Sequence, residues 1–160
     1  MPARVDRVRL RLWLRLLAAS ATIERTVRHR LRREFGTTLP RFDVMAALER
    51  APEGLSMSEL SRRLMVTNGN TTALIAGLER DGLVRRAESA TDRRSFMVTL
   101  TNEGERAFER MAAAHARWVR ELLGGMDDKD CRQLSELLHE LRVRVPSSSA
   151  EPAAQARGTL

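Results

Sequence analysis

The chain has 160 residues, 28 basic and 21 acidic, for a formal net charge of +7, with one cysteine, two tryptophans and no tyrosine. That length favours one domain, or one domain with an extension, and a chain of this size buries about 70% of its unfolded surface, enough for a core that needs no cross-links. Cys131 alone cannot make an internal disulfide, and the stretch Leu10 to Leu17 is broken by Arg11 and Arg15, so a disulfide-built secreted fold, a signal peptide and a membrane span are excluded and a reducing cytoplasm is the expected location.

Residues 5–35 read as one helix. Leu10, Trp13, Leu14, Leu17 and Ala21, then Ile23, Val27, Leu31 and Phe35, recur at spacings of three and four. The opposite stripe is basic, with Arg4, Arg7, Arg11, Arg15, Arg25, Arg28 and Arg32. Gly36 suits a left-handed cap. Pro40 fits a first helical position and opens a second helix over 40–50, in which Phe42, Met45 and Leu48 face one way. Ala51 to Gly54 is a turn. Ser56 and Glu59 have capping-box spacing and open a third helix over 57–65, with Met57, Leu60 and Leu64 inward. Thr67 caps a fourth, whose inner face is Thr71, Leu74, Ile75 and Leu78, and Asp81-Gly82 stops it.

The period then changes. Leu83 to Arg86 is a short strand, and Phe96 to Leu100 alternates with period two. The polar loop from Ala87 to Arg94 makes the two strands a hairpin. Thr101 caps a fifth helix over 102–123, running through Ala107, Met111, Ala114, Trp118 and Leu122 to Gly124-Gly125. Asp127 or Asp128 caps a sixth, with Leu134, Leu137, Leu138, Leu141 and Val145 in one stripe and Pro146 at its end. The tail is Ser, Ala, Pro and Gly with almost no bulky apolar residues, a composition expected to be disordered.

Helix, helix–turn–helix and hairpin in this order predict a mainly α fold with a small β-hairpin, a winged helix–turn–helix. Such folds present the start of the second helix of the pair to base edges in the major groove of duplex DNA. Asn68, Gly69, Asn70, Thr72, Ala73 and Ala76 are expected to be exposed there. Asparagine pairs bidentately with adenine, and threonine meets a thymine methyl or a phosphate. Gly69 would let the backbone approach the DNA closely, and Gly77 is expected to permit close packing against another helix. At the wing tip, Arg93 and Arg94 suit a narrow, electronegative minor groove, with Asp92 placed to fix one of them.

Three runs carry a family resemblance: Leu55 to Leu64 (LSMSELSRRL), Gly77 to Arg86 (GLERDGLVRR), and Asp92-Arg93-Arg94 followed by Val98 to Gly104 (VTLTNEG). Together they resemble the MarR family of winged-helix regulators, and the likeness covers roughly residues 10–143. It implies a homodimer built on the first and last helices, 5–36 and 102–145. It also implies a DNA-binding domain over 40–101 that reads a pseudo-palindromic operator, a small-molecule pocket between the dimerisation helices and the reading head, and a tail at 146–160. The DNA-contacting set it implies is Thr67, Asn68, Gly69, Asn70, Thr72, Ala73, Asp92, Arg93 and Arg94. Leu39 to Met45 (LPRFDVM) with Leu64 to Asn70 (LMVTNGN) are similar to repressors of the hydroxycinnamoyl-CoA-responsive (CouR-like) subgroup. That narrower resemblance implies relief of repression by an aromatic acyl-CoA thioester. Free phenolic acids or other lipophilic compounds are the alternative effectors, and a protein-binding winged helix is the alternative function.

The distribution of charge bears on the effector. Residues 1–50 hold 12 arginines against 5 acidic residues, residues 51–100 hold 7 basic against 6 acidic, and residues 101–160 hold 9 against 10. The whole excess thus lies in the first third, where the arginine stripe reads either as a solvated face or as a clamp for an anionic ligand. The candidate effector set is Trp13, Leu17, Arg28, Arg32, Arg33, Phe42 and Met45, with Trp13 expected near Phe42 and Met45. No cofactor and no catalytic residue are expected, because the chain has no glycine-rich phosphate loop, no Cys-x-x-Cys and no His-Glu-x-x-His. His29, His115 and His139 are too scattered in sequence to suggest a metal site.

Overall fold

The computed structural model describes residues 7–64, 68–88 and 96–145. The chain divides into two compact units, the first ending at Leu122 and the second beginning at Leu123. In the first unit the order is α1 (Arg7–Phe35), α2 (Leu39–Glu49), β1 (Leu55–Ser56), α3 (Met57–Leu64), α4 (Asn68–Arg80), β2 (Val84–Glu88), β3 (Phe96–Leu100) and α5 (Asn102–Leu122). The second unit carries α6 (Asp128–Arg144).

Local chemistry sets the ends of these helices. At the end of α1, Gly36 has φ of 62° and the Thr37 amide reaches back to the Leu31 carbonyl, a left-handed closure that glycine adopts without a Cβ penalty. The Ser56–Glu59 box forms as expected. The Ser56 amide donates to Glu59 Oε2 at 2.8 Å and the Glu59 amide to Ser56 Oγ at 3.3 Å. The Ser56 hydroxyl also donates to Glu59 Oε2 at 2.7 Å, and this bond first, with the Ser56 amide second, holds the Glu59 carboxyl below its ordinary value. Thr101 Oγ1 accepts from the Gly104 amide at 3.0 Å and donates to the Gly82 carbonyl at 2.7 Å. Of the two aspartates offered for α6, Asp127 is the cap, accepting from the Asp130 amide.

The sheet has three antiparallel strands in the order β1-β3-β2, not the two of a bare hairpin. Leu55 pairs with Val98 and Ser56 with Met97. The second strand runs two residues further into the wing than the sequence suggested, with Glu88 opposite Phe96. The core gathers Val27 and Leu31 from α1, Phe42, Val44, Met45 and Leu48 from α2, Leu60, Ile75 and Leu78 from the helix pair, Val84 and Val98 from the sheet, and Phe108, Met111 and Trp118 from α5. Only the C-terminal part of the predicted α1 stripe joins it. Leu10, Trp13, Leu14 and Leu17 are exposed on α1, as are Leu134, Leu137, Leu138 and Leu141 on α6.

Candidate nucleic-acid interface and adjoining cleft

Helix α4 takes its orientation from a buried polar contact. Ser61 Oγ donates to Thr71 Oγ1 at 2.8 Å, with both residues buried. A buried hydroxyl must find a partner, so this pair fixes the rotation of α4 on α3. With Thr71, Ile75 and Leu78 turned inward, helical period turns Gly69, Asn70, Thr72 and Ala73 outward, and all four are exposed. Ala76 departs from expectation and is half-buried at the margin of that face. Asn68 is the first residue of α4. Thr67 and the wing-tip residues Asp92, Arg93 and Arg94 lie outside the described residues. At Gly69 an added Cβ would meet no atom within 4 Å, so the packing of the chain itself does not demand glycine there. The start of α4 also carries the positive end of a helix dipole, which favours a phosphate nearby.

The reading head is braced by contacts far apart in sequence. Arg86 pairs with Glu79 at 3.3 Å, joining β2 to α4, and Arg85 Nε donates to Thr99 Oγ1 at 3.1 Å across the sheet. Behind them the Thr101 amide bonds the Leu83 carbonyl at 3.1 Å. Gly104 lies so close that a Cβ would stand 1.9 Å from that same oxygen. Gly77, by contrast, does not serve a close helix contact: its nearest neighbour would be Arg41 Nη1 at 3.8 Å, an ordinary separation. Arg41 pairs with Asp81 and so links α2 to the end of α4.

A cleft of about 190 Å³ lies beside the reading head, lined by Glu24 and Arg28 of α1, Leu39, Pro40 and Asp43 of α2, Leu64 of α3 and Leu74 of α4. Its floor is apolar and its rim is charged. Of the seven candidate effector residues, the cleft includes Arg28 alone, and Arg28 is paired with Glu24. Phe42 and Met45 are buried instead, with Phe42 packed on Phe108 and His115 at centroid separations of 5.5 and 5.0 Å. Arg32 and Arg33 are exposed, and Arg33 lies 3.8 Å from Glu34. Trp13 and Leu17 are 57% and 51% exposed and stand outside the core cluster that holds Phe42 and Met45, so the expected proximity of Trp13 to those residues is not found. One α1 arginine absent from the candidate set has a clear structural place: Arg30 bonds Glu121 at 2.6 Å, with its guanidinium 5.9 Å from the Trp118 ring centre.

Asp43 is the cleft residue that sequence reasoning missed. Partial desolvation, its largest influence, raises its pKa above the ordinary 3.8; nearby Glu24 adds to this, while His115 and Arg28 oppose it. A second, larger groove of about 660 Å³ runs behind the wing. Glu49, Glu103, Glu105 and Glu109 line it against a single Arg85, which makes it unsuited to a phosphate backbone. Among the described residues no group of His, Cys, Asp and Glu could hold a metal ion, and no helix is long and apolar enough to cross a membrane.

Comparison with known proteins agrees with this architecture. A sequence profile of the MarR family matches residues 35–95. The chain is 34% identical over 134 residues to the transcriptional activatory protein BadR of Rhodopseudomonas palustris, covering 82% of this chain and 74% of BadR. A MarR family transcriptional regulator from Silicibacter pomeroyi superposes with a TM-score of 0.74 at 34% identity, over 88% of this chain and 97% of that one. Sco3205 of Streptomyces coelicolor, a MarR family regulator solved in complex with DNA, superposes with a TM-score of 0.82 over 94% of this chain and 96% of its own, but at 24% identity it speaks to the fold alone. With its buried helix-pair lock, its outward-facing α4 and these relatives, the chain belongs to the MarR family of DNA-binding transcriptional regulators.

Proposed function

We propose that the chain is a homodimeric repressor released from a pseudo-palindromic operator by a small aromatic effector. The observation that carries the DNA reading is the exposed face of α4: the Ser61–Thr71 lock turns Gly69, Asn70, Thr72 and Ala73 outward together. In this reading Thr67, Asn68 and Asn70 meet base edges, Gly69 admits the backbone, and Arg93 and Arg94, braced by Asp92, enter the minor groove. Dimerisation is assigned to residues 5–36 and 102–145, and DNA binding to residues 40–101. The exposed leucines of α1 and, separately, of α6 support it, because apolar side chains repeated along a helix call for a covering surface. Replacing Arg94 with Ala should weaken operator binding and lower the dependence of log K on log salt by about one phosphate contact. An unchanged affinity and slope would remove the wing from the mechanism.

The effector reading rests on the cleft between α1, α2 and the helix pair. At about 190 Å³ it is smaller than the 300–1,000 Å³ usual for a drug-sized ligand, so it suits a single aromatic ring. A hydroxycinnamoyl-CoA thioester would place its ring there and its phosphates against exposed Arg32 and Arg33, outside the cleft. A free phenolic acid would fit within the cleft, its hydroxyl donating to Asp43. Thermal-shift titration of matched free acids and CoA thioesters separates these two. Stabilisation by free acids alone would return the arginine stripe to a solvated face. The sign of regulation needs its own readout, since BadR is by name an activatory protein: transcription from the operator should rise when effector is added, and a fall would reverse the assignment.

A further inference from the structure

Helix α4 is held at both ends, by different partners. Near its start Ser61 ties it to α3 through Thr71. Just past its end the tie is to α2, where Arg41 Nη2 donates to Asp81 Oδ2. The Arg41 side chain lies beside the last turns of α4, within ordinary contact distance of position 77. A Cβ at position 77 would stand 3.8 Å from Arg41 Nη1, so the guanidinium lies along the helix without needing glycine there. The Arg41 side chain is only 25% exposed, and its Nε is buried without a hydrogen-bond partner. An orphaned donor on a largely buried cation is a poor way to gain stability, since an apolar side chain of similar length would remove the orphan. A role in geometry accounts better for its presence. Its neighbours on α2, namely Leu39, Pro40 and Asp43, wall the cleft that Leu74 of α4 also lines.

We propose that Arg41 is a positioning residue that sets the angle of α4 on the reading head and passes movement of the first turn of α2, the wall of the cleft, on to the DNA-reading face. This rests on the reading of α4 as the helix that meets base edges. Because the Arg41 charge is already matched by Asp81, the residue acts on sequence discrimination and adds nothing to general attraction for phosphate.

The test uses the full chain and two duplexes of equal length, one enriched by the unaltered protein from a random-sequence library and one scrambled. Affinities are measured by fluorescence anisotropy over a salt series, with melting temperatures in parallel. Arg41→Met should lose roughly tenfold in affinity for the enriched duplex relative to the scrambled one, as expected for removal of one coupled pair, while keeping the same salt slope. The exchange Arg41→Asp with Asp81→Arg should recover most of that ratio. If Arg41→Met melts early, Asp81→Asn, altered in an exposed turn, carries the test with the same expected loss. A ratio preserved within twofold in both variants would overturn the proposal. So would an equal loss on both duplexes with the slope reduced by about 0.9, which marks a direct phosphate contact, and so would failure of the exchanged pair to recover discrimination. If the unaltered protein enriches no duplex at all, it is the DNA reading that fails, and the proposal falls with it.

Discussion

Gly104→Ala is the sharpest perturbation available at the joint between reading head, wing and α5. The new Cβ would sit 1.9 Å from the Leu83 carbonyl oxygen and 2.9 Å from its carbon. Neither atom is the loose end of a side chain, so the start of α5 has to move by more than an ångström. That movement pulls on two bonds that close the joint, Thr101 N to Leu83 O at 3.1 Å and Thr101 Oγ1 to Gly82 O at 2.7 Å. Overpacking of this kind costs about 1–3 kcal/mol, and each weakened hydrogen bond adds roughly 1 kcal/mol. The alanine's better helix propensity returns less than about 1 kcal/mol. A net loss of about 2–4 kcal/mol should lower the melting temperature by roughly 4–16 °C for a chain of this length. Calorimetry of both proteins at one fixed protomer concentration reads this directly. A variant melting within about 2 °C of the unaltered chain would refute the argument from backbone contact.

Gly77→Ala should behave in the opposite way: its Cβ has room, so the better helix propensity raises stability by up to about 1 kcal/mol, measurable as a higher urea midpoint with the slope unchanged. Ser56→Ala removes the box at the start of α3 and should cost about 1 kcal/mol. Because Glu59 titrates below its ordinary 4.5, its contribution is complete above that pH and lost as the pH falls below it, so the difference between Ser56→Ala and the unaltered chain should shrink in acid denaturation below pH 4.5. Asp43→Asn should raise the melting temperature at neutral pH. The Asp43 carboxyl is raised above 3.8, so ionising it disfavours the folded state as the pH climbs past that value, and the advantage of asparagine should vanish in melts run below it.

Local grammar was the most legible part of the sequence. The Ser56–Glu59 spacing, Gly36 after Phe35, and Thr101 ahead of α5 each announced a helix end through chemistry that acts over three or four residues. The period of Thr71, Ile75 and Leu78 likewise placed Asn70 and Thr72 on the outer face. Contacts between distant positions left no such signal. A two-residue strand at Leu55–Ser56 has no period to detect, and its pairing with Met97 and Val98 is a tertiary event. Gly104 read as a motif letter until its nearness to Leu83 gave it a reason. Nothing near Arg41 names Asp81 as its partner, and nothing near Arg30 names Glu121. The effector set suffered most: Phe42 and Met45 carried the right period for a helix face, but that face is core, while their neighbour Asp43 is the one that reaches the cleft. An arginine-rich α1 suggested an anion site, yet Arg28 and Arg30 are both matched by glutamates.

The central claim is that the outer face at the start of α4 reads DNA sequence. Its most direct test is Asn70→Ala titrated against the duplex that the unaltered protein enriches, beside a scrambled duplex. Asn70 is exposed, so folding should be untouched. Loss of one bidentate base contact should weaken the enriched duplex by about 1–3 kcal/mol and relax preference at one base pair in each half-site, with scrambled binding and salt slope unchanged. Equal affinity for the enriched duplex, with every base preference intact, would contradict the account.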